Sequence, residues 1–182
     1  MKIIKWRSFT IYPIAVGFLL LLSACANVPK NDTPPLQVVP HVDIDRYLGK
    51  WYEIARYPHA LEKGCFQSTA FYQKMPDGMI QVVNQCRMDS PEGALKQIVG
   101  TVASTDSSGN AKLKVQFLWP FWGNYWIVHL DSDYQYAVVS EPNRQYLWIL
   151  SRSPQMDAAT LNEIKEALTQ KNFDMSRLLA QE

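Results

Sequence analysis

Few side chains in this sequence could carry out chemistry. Cysteines stand at 25, 65 and 86, histidines at 41, 59 and 129, and Glu53 sits inside the aromatic-flanked run WYEIARY. The histidines show no metal-ligand spacing. There is no G-x-S-x-G elbow, no H-E-x-x-H and no glycine loop suited to phosphate. The expectation is therefore no catalytic residue, no metal and no cofactor. Glu53 is read as a structural or headgroup-binding group rather than a general base. The stretch LWPFWGNYW at 118–126 offers something else: Trp119, Phe121, Trp122, Tyr125 and Trp126 gather around a proline and a glycine without any charge. Exposed apolar patches mark interaction surfaces, and Trp and Tyr favour the water–lipid boundary.

These residues need elements to position them, and the N-terminus sets the context. Residues 1–24 run from a basic start (Lys2, Lys5, Arg7) through IAVGFLLLL to small residues before Cys25, the order of a secretory signal. The apolar core is short for a transmembrane helix, which needs about 20 residues. Leu22-Ser23-Ala24-Cys25 resembles the bacterial lipobox. That resemblance implies a diacylglycerol and an acyl chain on Cys25, and Ala26 in place of Asp implies the outer membrane. Each buried methylene contributes about 0.8 kcal/mol, so two or more chains hold stably. Removing 24 of the 182 residues leaves 158, and the charge of 18 basic against 17 acidic becomes 15 against 17. No basic stripe argues for nucleic acid. Residues 25–45, with prolines at 29, 34, 35 and 40, are read as a lipidated tether, and 46–182 as one domain.

Short segments rich in aromatic and β-branched residues follow, separated by turn signals. They predict strands at 50–57, 66–74, 79–87, 95–104, 111–118, 124–130, 134–140 and 145–151. Met75-Pro76-Asp77-Gly78 is a tight-turn sequence. Leu161, Ile164, Ala167 and Leu168 form one apolar face in 157–170, a single C-terminal helix with Asp157 as its N-cap. Eight antiparallel strands in sequence order favour an up-and-down barrel, since closure removes sheet edges. The competing architecture is a sandwich.

Three motifs favour the barrel. Gly49-Lys50-Trp51 opens the first strand, Asp131-Ser132-Asp133-Tyr134 lies between the sixth and seventh, and Arg152 ends the eighth. Together they resemble the signature regions of the lipocalins. YLGKWYEIARYP and YLWILSRSP are closest to the bacterial and apolipoprotein D-like branch, over about Tyr47 to Leu179. In an up-and-down barrel, Gly49, Trp51, Asp133, Tyr134 and Arg152 converge on one end, the base, where a Trp–Arg stack is worth about 0.5–2 kcal/mol. The connection containing Trp119, Phe121 and Trp122 then lies at the opposite end and rims an open mouth. Cys65 and Cys86 fall near the top of adjacent strands at almost matching register. An exported chain would join them across a loop of about 20 residues, for roughly 2–4 kcal/mol.

Alternation names the cavity walls. Counted from Trp51, Ala55 and Tyr57 face in. Counted from Arg152, so do Trp148 and Tyr146. Leu113, Val115 and Phe117 oppose a lysine-bearing face. Burying about 14 methylenes at ~0.8 kcal/mol each gives roughly 11 kcal/mol gross, of which binding costs remove several. The resemblance implies fatty acids, phospholipids or lysophospholipids as ligands, stored or transported for membrane maintenance under stress. It also implies an outer-membrane anchor with the barrel facing the periplasm. The alternatives are a periplasmic lipid-modifying enzyme and a structural envelope lipoprotein with a filled barrel. The sequence leaves open whether two barrels pair as a homodimer.

Overall fold

The computed structural model describes residues 33–105 and 109–181. The segment 1–24, read above as a signal, and Cys25 lie outside the described residues. The elements are α1 (Ile44–Tyr47), β1 (Gly49–Arg56), β2 (Cys65–Lys74), β3 (Ile80–Met88), β4 (Leu95–Ser104), β5 (Lys112–Leu118), β6 (Phe121–Leu130), β7 (Tyr136–Ser140), β8 (Leu147–Ser151), α2 (Ala158–Gln170) and β9 (Leu179–Ala180). Each of β2 to β8 pairs with its sequence neighbour, and β1 pairs with both β8 and β2. The sheet is thus a closed eight-stranded antiparallel barrel, and the sandwich is excluded. The short β9 adds to the upper end of β1 at Ala55 and Arg56, beyond the last β1–β2 partner, Tyr52↔Thr69.

Two apolar clusters form the core. One fills the lower barrel around Trp51, Tyr47, Tyr72, Val82, Leu113 and Ile127. The other lies outside the barrel wall, where α2 contributes Ile164 and Leu168, and Phe173 follows them. Asp157 caps α2 as its side chain accepts from Thr160 N at 2.9 Å. The helix sheds its stripe against the outer faces of β1 and β6 to β8, where Ala55, Val128, Val138 and Ile149 receive it.

One expected boundary changes. The tether read over 25–45 does not stay free up to its end. Leu36 is buried, Val42 is fully buried, Val39 N donates to Ile127 O at 3.0 Å, and α1 caps the base. The prolines suppressed strand pairing, but the apolar residues between them still found the core. Pro34 sits at the other end, beside the β7–β8 connection, where Arg144 Nη2 donates to its carbonyl at 2.8 Å. The segment therefore runs from mouth level at Pro34 to the base at Val42.

Candidate functional site

The base is closed by side chains from four separate stretches. Trp51 is fully buried and donates from Nε1 to Tyr47 O at 2.8 Å. The Arg152 guanidinium lies 3.7 Å from the Trp51 ring centroid. It donates to the carbonyls of Lys50 and Arg46 at 2.8 Å, of Tyr47 at 3.2 Å and of Tyr134 at 3.3 Å. Gly49 has φ +94°, and a Cβ there would lie 3.4 Å from Arg152 Nη1, so the close approach and the backbone both favour glycine. Tyr134 is buried and its hydroxyl accepts from Asp43 N at 2.8 Å. Asp133 is exposed and contributes backbone groups to the turn rather than its carboxylate.

Above this plug, three tyrosines make a floor. The Tyr47 and Tyr125 hydroxyls are 2.8 Å apart, and Tyr72 donates to Tyr125 at 2.9 Å. Burial raises the pKa of all three, so the layer stays neutral. A chamber of about 420 Å³ opens over it, within the size range of small-molecule sites. Its apolar wall includes Ala70, Ile98, Val115, Phe117, Phe121 and Leu150. The Phe117 ring can lie against β4 only because position 100 is glycine: a Cβ there would meet Phe117 Cδ1 at 2.7 Å. A more open and more polar hollow of about 870 Å³ lies between β1, β2 and the segment entering α2. Its polar lining suits an amphiphile's tail less well than the chamber does.

One side of the chamber is polar. Glu53 points in and is buried, and Arg56 Nη1 donates to its Oε1 at 3.0 Å. Arg56 also pairs through Nε with Glu62 Oε2 at 3.2 Å and donates to Gln181 Oε1 at 3.1 Å. Trp148 Nε1 lies 3.2 Å from both Glu62 oxygens. Burial, reinforced by the Glu62 carboxylate and opposed by Arg56, pushes the Glu53 carboxyl up to about 8. The cluster joins β1, the connection after it and β8 at the mouth.

The expected cavity residues separate into groups. Val115, Phe117, Phe121, Tyr146 and Trp148 line the chamber. Leu113 faces inward but belongs to the packed core around Trp51. Trp119 on the β5–β6 turn and Trp122 at the start of β6 stand at the mouth, 82% and 44% exposed, and are not among the residues that line the chamber. Ala55 and Tyr57 are corrections: both pack outside the wall against Ile164, Leu168 and Phe173, and the Tyr57 hydroxyl donates to Asp174 O. The reason is a bulge between Glu53 and Ala55 in the pairing with β8. It puts Ile54 and Ala55 on the same side, which reverses every later position and turns Arg56 inward. No residue pattern in 50–57 announces that bulge. Cys65 and Cys86 are joined in a disulfide and border the chamber near its mouth. The tyrosine floor and the Arg56–Glu62 pair were not read from the sequence. An arginine inside WYEIARY was the one signal for the latter, since a strand buried on both faces holds a cation only beside an anion.

A closed eight-stranded barrel with a plugged base, an external helix and a chamber open at the far end defines a small-ligand-binding barrel. The Lipocalin-like domain family matches residues 42–182, and the chain belongs to the lipocalins. It is 38% identical over 161 residues to the outer membrane lipoprotein Blc of Vibrio cholerae, covering 88% of this chain and 91% of that protein. It is 36% identical to temperature-induced lipocalin-1 of Arabidopsis thaliana, covering 79% of this chain and 80% of the relative. Mouse apolipoprotein D is 36% identical over 82% of this chain and 80% of its own. Among solved structures, insecticyanin from the tobacco hornworm Manduca sexta superposes with a TM-score of 0.65 at 20% identity, over 82% of this chain and 85% of that one.

Proposed function

We propose that the protein is a lipid-binding lipoprotein of the outer membrane, anchored through Cys25 and facing the periplasm. It holds a fatty acid, phospholipid or lysophospholipid by its tail. The observation that carries this reading is the chamber: apolar along β4, β5 and the start of β6, floored by neutral tyrosines and closed at the base by the Trp51–Arg152 plug. A saturated tail entering it loses water-exposed methylenes at about 0.8 kcal/mol each. Relatives named as outer membrane lipoproteins support the location, and a temperature-induced relative is in keeping with a role in membrane maintenance under stress.

The path of the N-terminal segment supports a further part of this reading. Pro34 is at mouth level, and it stands nine positions after Cys25. Nine residues span at most about 30 Å, so an anchor at Cys25 would keep the mouth close to the bilayer. The exposed apolar residues Leu118, Trp119, Phe121 and Trp122 lie at that same end. Their role is to meet the lipid surface as a tail passes in or out.

The test is the identity of lipid that leaves the cell with the protein. Native mass spectrometry of the mature chain should show one amphiphile per barrel, and organic extraction should identify it. An empty barrel that also fails to bind any added fatty acid or lysophospholipid would leave the structural-lipoprotein alternative standing.

A further inference from the structure

The tail accounts for the apolar side of the chamber but not for the cluster at its mouth. His59, Tyr146 and Trp148 all line the chamber and bring their rings together, with centroids 4.6 Å apart for His59–Tyr146, 5.7 Å for His59–Trp148 and 6.1 Å for Tyr146–Trp148. Carboxylates surround the same rings. Glu62 takes the Trp148 indole N–H. Glu141 lines the chamber within electrostatic reach of His59; Asn143 hydrogen-bonds its carboxyl group, and Oε1 is buried with no partner in hydrogen-bond geometry. Farther in, Ser68 is only 9% exposed, lines the chamber, and its Oγ is likewise unpartnered. The nearby cations have other engagements: Arg56 holds Glu53, Glu62 and Gln181, and Lys96 donates to Leu61 O.

A desolvated carboxylate oxygen without a donor costs free energy until something supplies one. Ring faces carry negative charge density and attract cations, most strongly quaternary ammonium groups held among several aromatics. Both features oppose an anion. We infer that the His59–Tyr146–Trp148 cluster with Glu62 and Glu141 is a cation subsite, which takes the ammonium headgroup of an amphiphile whose tail lies against Val115, Phe117 and Phe121. The inference rests on the lipid-binding reading and deepens it: a zwitterionic or cationic amphiphile is preferred to a free fatty acid of equal chain length.

The experiment titrates the mature chain by calorimetry at pH 7.5, below micellar concentrations, with dodecyltrimethylammonium, dodecylphosphocholine and laurate. The two ammonium amphiphiles should bind about five- to thirtyfold more tightly than laurate, as an ammonium–aromatic interaction of about 1–2 kcal/mol gives. Glu141→Gln should weaken the ammonium ligands several-fold and strengthen laurate, and Tyr146→Leu should reduce the preference without such a crossing. A purely structural role for Glu141 would shift all three ligands the same way. Laurate binding as tightly as the ammonium ligands in the unmodified protein overturns the subsite and leaves the lipid-binding reading intact. Failure of all three to bind overturns both.

Discussion

Arg152 illustrates how much a single side chain can hold at this base. Its guanidinium covers the Trp51 ring and donates to four carbonyls that belong to α1, β1 and the β6–β7 turn. Arg152→Ala should cost about 2–4 kcal/mol, because the carbonyls and the indole face lose their partner together. Arg152→Lys should recover less than half, since an ammonium lacks the planar fork. Thermal unfolding of the three proteins measures both. Glu53 sets a pH dependence of definite sign. Its carboxyl is raised from 4.5 to about 8 in the folded chain, so the folded state holds the proton more tightly. Its stability contribution is then fully present below about 4.5 and lost as the pH rises through 8. Glu53→Gln should flatten that slope, which is at most ~1.4 kcal/mol per pH unit. Melting curves between pH 5 and 8.5 that run parallel for the two proteins would refute the assignment.

At the scale of elements, α2 and β1 are coupled through the bulge. By turning Ala55 and Tyr57 outward, the bulge supplies the surface onto which Leu168 and Phe173 pack, and by turning Arg56 inward it supplies the cation that pairs with Glu62 and donates to Glu53. Leu168 is fully buried. Leu168→Ala should destabilise the fold by roughly 2–4 kcal/mol, seen as a lower urea midpoint, while the affinity for a fatty acid changes little because the chamber lies on the other face of the wall. The existence of the eight barrel strands was legible from β-branched and aromatic runs between turn signals, and α2 from its apolar stripe, whereas α1 and the short β9 were not read. The facing of 55 and 57 was not legible. A bulge is decided by how β1 fits between β8, β2 and β9, and those partners are distant in sequence.

For the whole molecule, the mouth, the exposed tryptophans and the exit of the N-terminal segment share one end. Trp119→Ser combined with Trp122→Ser should leave the melting temperature nearly unchanged, because both side chains are exposed. The same pair should reduce binding of the unlipidated chain to phosphatidylethanolamine–phosphatidylglycerol vesicles several-fold, as each interfacial Trp contributes on the order of 1 kcal/mol or more. Vesicle co-sedimentation gives the result, and equal binding by both proteins would show that the rim does not meet the bilayer.

Local composition and order in the sequence were enough to determine the eight barrel strands and the terminal helix, and the three motifs that resemble the lipocalins then selected closure and the meeting of Gly49, Trp51, Tyr134 and Arg152. An antiparallel meander has only one simple way to close, and parity then fixes which connections share an end. The tertiary structure alone decided how deep the chamber runs, that three tyrosine hydroxyls floor it, that Leu113 belongs to the plug, and that the stretch from Leu36 is packed rather than free. Those features depend on which side chains from remote strands arrive at the same height in the barrel. That height follows from register and bulges, and a period-two pattern carries no information about either.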